Sequence, residues 1–227
     1  MERKVSAPKT IIAILIPLLE LGIGSFIARL VHNNQWLLVI LNVLVFFVGF
    51  ITAIILFKDV LRDDWKIWKQ HIWRNLGLAL LGMILTYVIL SLVRMGMKPF
   101  VAGAAVNTSL LSIQTASMGL VASLTTLMAP FTEEIVFRHA LFFQWKNNKV
   151  LMWIMFFVSS VAFGLVHWNN FNGDVVQMIP YMVVGAWFAL IYYFSKNIWQ
   201  NIMTHFLFDF VQFASAVLLL VVAFMTK

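Results

Sequence analysis

The chain has 227 residues, of which 62% are hydrophobic and 11% are charged, and its mean hydropathy is +0.92. This composition excludes a soluble globular domain and predicts an all-α, polytopic integral membrane protein, with residues 1–227 forming one membrane-embedded domain. The net charge of +7 fits loops that face anionic lipid, so we expect a lipid bilayer and no nucleic acid as partner. The chain has no cysteine, which excludes disulfides, thiolate metal sites and a cysteine nucleophile.

The first half of the sequence predicts three membrane spans and one surface helix. The spans cover 10–31, 36–57 and 75–93, and each is long enough to cross a bilayer. Glu20 lies within the first span, where a carboxylate either faces the helix bundle or reaches for the interface. Residues 58–74 alternate tryptophan and isoleucine with lysine and arginine, which is typical of an amphipathic helix lying on the membrane surface.

The second half predicts four further spans. Residues 116–145 form a long helix with Pro130 near its middle, and because proline removes a backbone donor we expect a kink or local unwinding there. The next spans cover 150–167, 177–194 and 198–225. Residues 95–115 are too polar for a plain span and too apolar for a plain loop, so an eighth span at this place stays open.

The distribution of basic residues favours seven spans with a cytoplasmic N-terminus. In that arrangement the inner segments hold 11 of the 16 lysines and arginines, the outer segments hold four, and Arg138 lies within the membrane. Cytoplasmic loops are enriched in lysine and arginine, which gives the orientation. An eighth span at 95–115 would invert the later loops and place their lysines outside.

Ionisable side chains inside the predicted spans point to a functional site. A charge at the bilayer centre costs roughly 3 kcal/mol, so such residues usually face the bundle interior and have a use there. The residues fall on three helices: Glu133, Glu134 and Arg138 on the first, His167 on the second, and His205 and Asp209 on the third. At 1.5 Å per residue the three groups lie at depths that agree to within about two helical turns. They are therefore compatible with one intramembrane site.

The spacing of these residues separates their uses. Glu134 and Arg138 are four residues apart and can form an ion pair within the helix, which leaves Glu133 pointing elsewhere. His205 and Asp209 have the same spacing, so the carboxylate can orient the imidazole, and Phe163 shares a helix face with His167. A free carboxylate and two histidines provide a base for water and donors for an oxyanion. Taken singly, each residue also fits a structural role.

Three motifs in this order resemble those of a known family. The stretch 129–138, with Glu-Glu-x-x-x-Arg after Ala-Pro, resembles the first motif of the CPBP intramembrane proteases, the family of CAAX prenyl proteases and bacteriocin-processing (Abi) proteins. Phe163 to His167 resembles the second motif, FxxxH, and His205 to Asp209 the third, HxxxN or HxxxD. The resemblance covers 107–210, which is the predicted catalytic core.

The resemblance implies an endopeptidase of the bacterial cell membrane that hydrolyses peptide bonds of small peptide precursors or of membrane-protein substrates. It implies that Glu133 is the general base and that His167 helps it to activate water. It implies that His205 and Asp209 stabilise the oxyanion. It also implies supporting roles for Glu134, Arg138 and Phe163.

Two positions depart from the family pattern. His139 stands where glycine is common, and Asp209 stands where asparagine is common. An ionised carboxylate cannot donate a hydrogen bond, so either His205 donates alone or Asp209 is held protonated.

Two further questions concern cofactor and function class. Zinc could be held by Glu133, His167 and His205, but the family's structural picture is similar to a glutamate mechanism without metal, so we expect no cofactor. A non-catalytic membrane protein that confers immunity or regulates a partner by binding is the alternative function. A transporter is disfavoured, since no inverted repeat is visible.

Overall fold

The computed structural model of the chain describes residues 5–31, 33–98 and 113–226. In these ranges the chain is helical and contains no strand, as the composition predicts. The eight α-helices are α1 (Ala7–Leu30), α2 (Gln35–Leu56), α3 (Lys58–Trp68), α4 (Ile72–Met97), α5 (Ile113–Glu133), α6 (Lys149–Leu165), α7 (Val175–Ser195) and α8 (Ile198–Met225). A π-helix, Glu134–Phe142, continues α5.

Among the described residues, six helical stretches are long and apolar enough to cross a membrane. They are α1, α2, the run Lys58–Met97, the run Gln114–Trp145, α7 and α8, and the apolar α6 is shorter. Together with α6 they correspond to the seven predicted spans. Most of 95–115, where an eighth span stays open, lies outside the described residues. Residues 107–112 of the predicted catalytic core also lie outside them.

The bundle is built around α5 and α8, which pack against each other. On its other sides α5 contacts α2, and α8 contacts α4. The pair α6 and α7 packs closely, and α1 lies on α2 and on the π-helix. The first two helices therefore form one wall of the bundle, and the second half of the chain forms its centre.

The surface of the bundle is apolar while its interior contains polar groups. Large hydrophobic side chains such as Phe26, Val48 and Phe157 are more than 60% exposed. Glu134, Arg138 and several amides and hydroxyls are buried instead. An apolar surface of this extent is typical of a chain surrounded by lipid, so the fold agrees with the membrane protein that the composition predicts.

The predicted surface helix is shorter than expected and is docked on the protein. It ends at Trp68, and after a 3-10 turn at 69–71 the chain enters α4 at Ile72. Its buried face meets the start of α8, where the Asp64 carboxylate accepts a hydrogen bond from the backbone N–H of Ile198 at 2.8 Å. The indole of Trp199 donates to the Leu61 carbonyl at 2.7 Å. A carboxylate at a helix N-terminus is favourable, so α3 fixes the position at which α8 begins.

We expect Asp64→Ala to destabilise the protein, because it removes the acceptor from the first turn of α8. Loss of one such hydrogen bond costs about 1 kcal/mol, which lowers Tm by about 2 to 4 °C in a chain of this size. Thermal unfolding in detergent measures the shift. Asp63→Ala, which removes an exposed carboxylate paired with Lys66, is the matched control and leaves Tm unchanged. Equal shifts for the two variants would contradict the capping role.

Candidate active site

The paired glutamates lie where the α-helix changes into a π-helix. The α pattern continues through Pro130 and ends at Glu133, and from Glu134 to Phe142 the bonds run from residue i to i+5, as in the bond from the Phe143 N–H to the Arg138 carbonyl. The local unwinding predicted around Pro130 is thus found just after it. π-helices are rare and often occur at functional sites. Eight of the nine residues in this segment are buried.

Glu134 is the centre of a buried polar network. Its carboxylate pairs with Arg138 Nε at 3.3 Å, as the spacing predicts. The same carboxylate accepts a hydrogen bond from Asn201 Nδ2 at 2.9 Å and contacts His205 Nδ1 at 2.8 Å. An ionised carboxylate can only accept, so Nδ1 of His205 carries a proton. Glu134 therefore orients the imidazole and turns Nε2 away from itself.

Arg138 is fully buried and joins the π-helix to α6 and α7. Its Nη2 donates to the Gly185 carbonyl at 3.3 Å, and its guanidinium lies 4.1 Å from the ring centroid of Phe163. Cation–π contacts of this kind are strongest where water is excluded. Gly185 has no Cβ, and a Cβ there would lie 2.9 Å from the Ser160 carbonyl oxygen. This close approach of α6 and α7 brings both partners to the guanidinium.

The free side of His205 meets two carboxyl groups. Its Nε2 lies 3.9 Å from Glu133 Oε2 and 3.6 Å from Asp209 Oδ2. The spacing predicts that Asp209 orients the imidazole, but the shortest contact is the one made by Glu134 on the opposite nitrogen. Asp209 thus lies on the same side of the ring as Glu133.

His167 lies at the end of α6, on another wall. Its Nδ1 is 3.0 Å from the Phe163 carbonyl oxygen, and its ring lies against Tyr181 with centroids 4.3 Å apart. Phe163 contacts both histidine rings, at 5.5 Å to His167 and 5.7 Å to His205. Phe163 is therefore a packing partner that the two histidines share.

A cavity of about 440 Å³ brings the predicted residues together. Glu133, Phe163, His167, His205 and Asp209 all line it. Glu134 and Arg138 are not among its lining residues, because they lie behind His205. Other polar side chains that line it are Glu20, Asn42, Thr125, Thr126, Asn169, Asn170, Tyr181 and Gln212. The cavity thus has two carboxyl groups and two imidazoles of the predicted site on its wall.

His139 does not enter this cavity. Its Nδ1 lies 2.7 Å from the Tyr192 hydroxyl, and its ring meets Phe57 edge-on. The departure from the family pattern at this position therefore adds no titratable group to the pocket.

Two residues belong to the site although the sequence did not place them there. Asn201 was not predicted, although it precedes His205 by four residues and so shares a helix face with it and with Asp209. Glu20 was placed in a span without a defined position, and the structure brings it to the cavity wall.

The described residues contain no group of three or more His, Cys, Asp or Glu side chains placed to hold a metal ion. Glu133, His167 and His205 share the cavity, but they are not assembled as ligands of one ion. That no cofactor is used stays a prediction.

Comparison with known proteins agrees with the motifs. Residues 114–211 match the family described as "Type II CAAX prenyl endopeptidase Rce1-like". This segment includes all three motifs and all seven predicted site residues. The resemblance is therefore confirmed for this part of the chain.

Two relatives align over shorter stretches. An uncharacterized protein of Mycoplasma capricolum is 46% identical over 74 residues, which cover 33% of this chain and 20% of the relative. The "Putative membrane peptidase YdiL" of Bacillus subtilis is 31% identical over 85 residues, which cover 37% of this chain and 32% of the relative. The chain thus spans a third or less of the length of either relative. No solved structure matches the chain.

We expect Asn201→Ala to destabilise the protein, since it removes a donor from the buried Glu134 carboxylate and from the Phe188 carbonyl. A hydrogen bond to a charged group contributes about 1.5 to 3 kcal/mol. Ser215→Ala, at an exposed serine of the same helix, is the control and should leave Tm unchanged. A comparison of Tm values in detergent tests this. If the two variants have the same Tm, the Asn201 amide does not stabilise the buried Glu134 carboxylate.

Proposed function

We propose that this chain is an intramembrane endopeptidase that hydrolyses peptide bonds of small peptide precursors or membrane-associated substrates. The observation that carries the proposal is the position of the Glu133 carboxylate, 3.9 Å from Nε2 of a histidine whose other nitrogen is fixed by Glu134. The two groups face one cavity inside the bundle. The match of residues 114–211 to a prenyl endopeptidase family supports the reaction class.

In this mechanism Glu133 is the general base. It takes a proton from a water molecule in the cavity, and the oxygen of that water attacks the carbonyl carbon of the scissile peptide bond. The proton then passes from Glu133 to the departing amine, so that acid and amine are released and the carboxylate is restored. His167 lies on the same cavity and helps to position the water.

His205 stabilises the oxyanion that forms on the carbonyl oxygen. Donation from both ring nitrogens requires the imidazolium, and the carboxyl groups of Glu133, Glu134 and Asp209 all lie within 4 Å of the ring nitrogens. Carboxyl groups thus lie beside both nitrogens of the ring and can pair with the imidazolium. We therefore assign donation to His205, and we assign Asp209 the role of holding the imidazolium. A preorganised donor in a site without bulk water is effective because its alignment needs no rearrangement.

Glu133→Gln should reduce peptide hydrolysis by at least about 100-fold, since it keeps the shape and removes the base. The purified protein is incubated in detergent with a peptide library in oxygen-labelled water, and mass spectrometry detects labelled carboxyl ends. Asp59→Asn, an exposed change on α3, is the control. If the wild-type chain hydrolyses no peptide, or if Glu133→Gln does so at the wild-type rate, the protease proposal is wrong, and a binding role in immunity or regulation is the alternative.

We further propose that hydrolysis needs no metal ion. Activity should persist after dialysis against a strong chelator and should not rise when zinc is added back. The rate is measured on one cleaved peptide before and after each step. Loss of activity on chelation with recovery on adding zinc would instead favour zinc held by Glu133, His167 and His205.

A further inference from the structure

The cavity has a wall that comes from the first half of the chain. Pro17 and Glu20 of α1 and Asn42 and Phe46 of α2 line it together with the motif residues. All four lie outside residues 114–211, the segment that matches the endopeptidase family. This wall therefore lies beside the motif residues but outside the segment that the family match covers.

We infer that Glu20 is a specificity-determining residue that binds a cationic group of the substrate, such as a lysine or arginine side chain near the scissile bond. The inference rests on the proposed function. Glu20 reaches the cavity from α1, and within the described residues its Oε1 is buried without a hydrogen-bond partner. Buried carboxyl oxygens are normally satisfied, but this oxygen is packed against Gly49 in the seam between α1 and α2. Since Glu20 also lines the cavity, a cation of the substrate can pair with its carboxyl group from the cavity side.

A glycine on α2 leaves space for this carboxyl group. Gly49 of α2 faces Glu20, and a Cβ at this position would overlap Glu20 Oε1. Any larger residue at 49 would displace the carboxyl group from the seam between α1 and α2. The absence of a side chain at position 49 therefore leaves the space that the Glu20 carboxyl group occupies.

The charges around the cavity favour a positively charged group of the substrate. The ionisable groups that line it are Glu20, Glu133, Asp209, His167, His205 and Tyr181, and no lysine or arginine is among its described lining residues. Arg138 lies behind His205 and is already paired with Glu134, and Arg94 contacts Tyr181 through the phenol hydroxyl. An ionised carboxylate away from water is costly unless a cation pairs with it. A basic side chain of the substrate supplies that cation.

The experiment uses one cleaved peptide in three forms, with lysine, glutamine or norleucine at each position near the cut. The wild-type chain should hydrolyse the lysine form with kcat/KM about tenfold higher than the neutral forms, which corresponds to about 1.4 kcal/mol, mainly through KM. Glu20→Gln should abolish this preference and leave the neutral peptides within about threefold of wild type. Gly49→Ala should reproduce the loss, and Gly22→Ala, where a Cβ meets nothing within 4 Å, should retain the preference.

Three outcomes would overturn the inference. They are an equal rate for all three forms in the wild type, an equal loss for all forms in Glu20→Gln, and retention of the preference in both Glu20→Gln and Gly49→Ala. If the wild type hydrolyses no form, the proposed function fails instead. Fluorescence binding of the same peptides then tests Glu20 separately, because tighter binding of the lysine form to wild type than to Glu20→Gln would still support the cation site.

Discussion

The structure depends on one buried carboxylate, that of Glu134. It is fully buried, and it is held by the guanidinium of Arg138, the amide of Asn201 and the imidazole of His205. A charge removed from water is costly unless it is both paired and hydrogen-bonded. Two of its three partners lie on α8, so the rotation of α8 about its own axis is fixed relative to the π-helix. That rotation decides which way Nε2 of His205 points.

The network also explains the close packing of the helices behind the cavity. Arg138 needs acceptors and aromatic faces, and it finds them in the Gly185 carbonyl and the ring of Phe163. The Phe137 carbonyl, in the middle of the π-helix, accepts a hydrogen bond from the Ser159 hydroxyl at 2.7 Å. Side chains of α6 and α8 and backbone of α7 thus satisfy polar groups of one segment. In an interior that excludes water these bonds are hard to replace, which keeps the site rigid.

Much of this site follows from the sequence because its chemistry uses rare residues. Glutamate, arginine and histidine within apolar spans are few, and the spacing of four residues correctly gives the ion pair of Glu134 and Arg138. The sequence could not give the partner of His205, since Asp209 and Glu134 compete for it and only the packing of two distant helices decides between them. Asn201 was missed because an amide carries no charge, and its role depends on contacts with Glu134 and the Phe188 carbonyl that the sequence does not show. The surface helix was predicted to reach residue 74, but α3 ends at Trp68. Tryptophan alternating with lysine also fits a helix that packs on protein, and α3 packs on α8.

The two halves of the chain form different walls of the cavity. The groups that would move protons and stabilise charge lie on the segment from α5 to α8, where His205 is held by the buried Glu134 carboxylate. Within the described residues the facing wall from α1 and α2 contains no comparable network of buried ion pairs, and the Glu20 carboxyl group occupies the space beside Gly49. A change in that wall alters which groups fit beside Glu133 without disturbing the bonds around Glu134. If the proposed function holds, substitutions in the α1–α2 wall should change selectivity, while substitutions around Glu134 should disrupt the buried network itself.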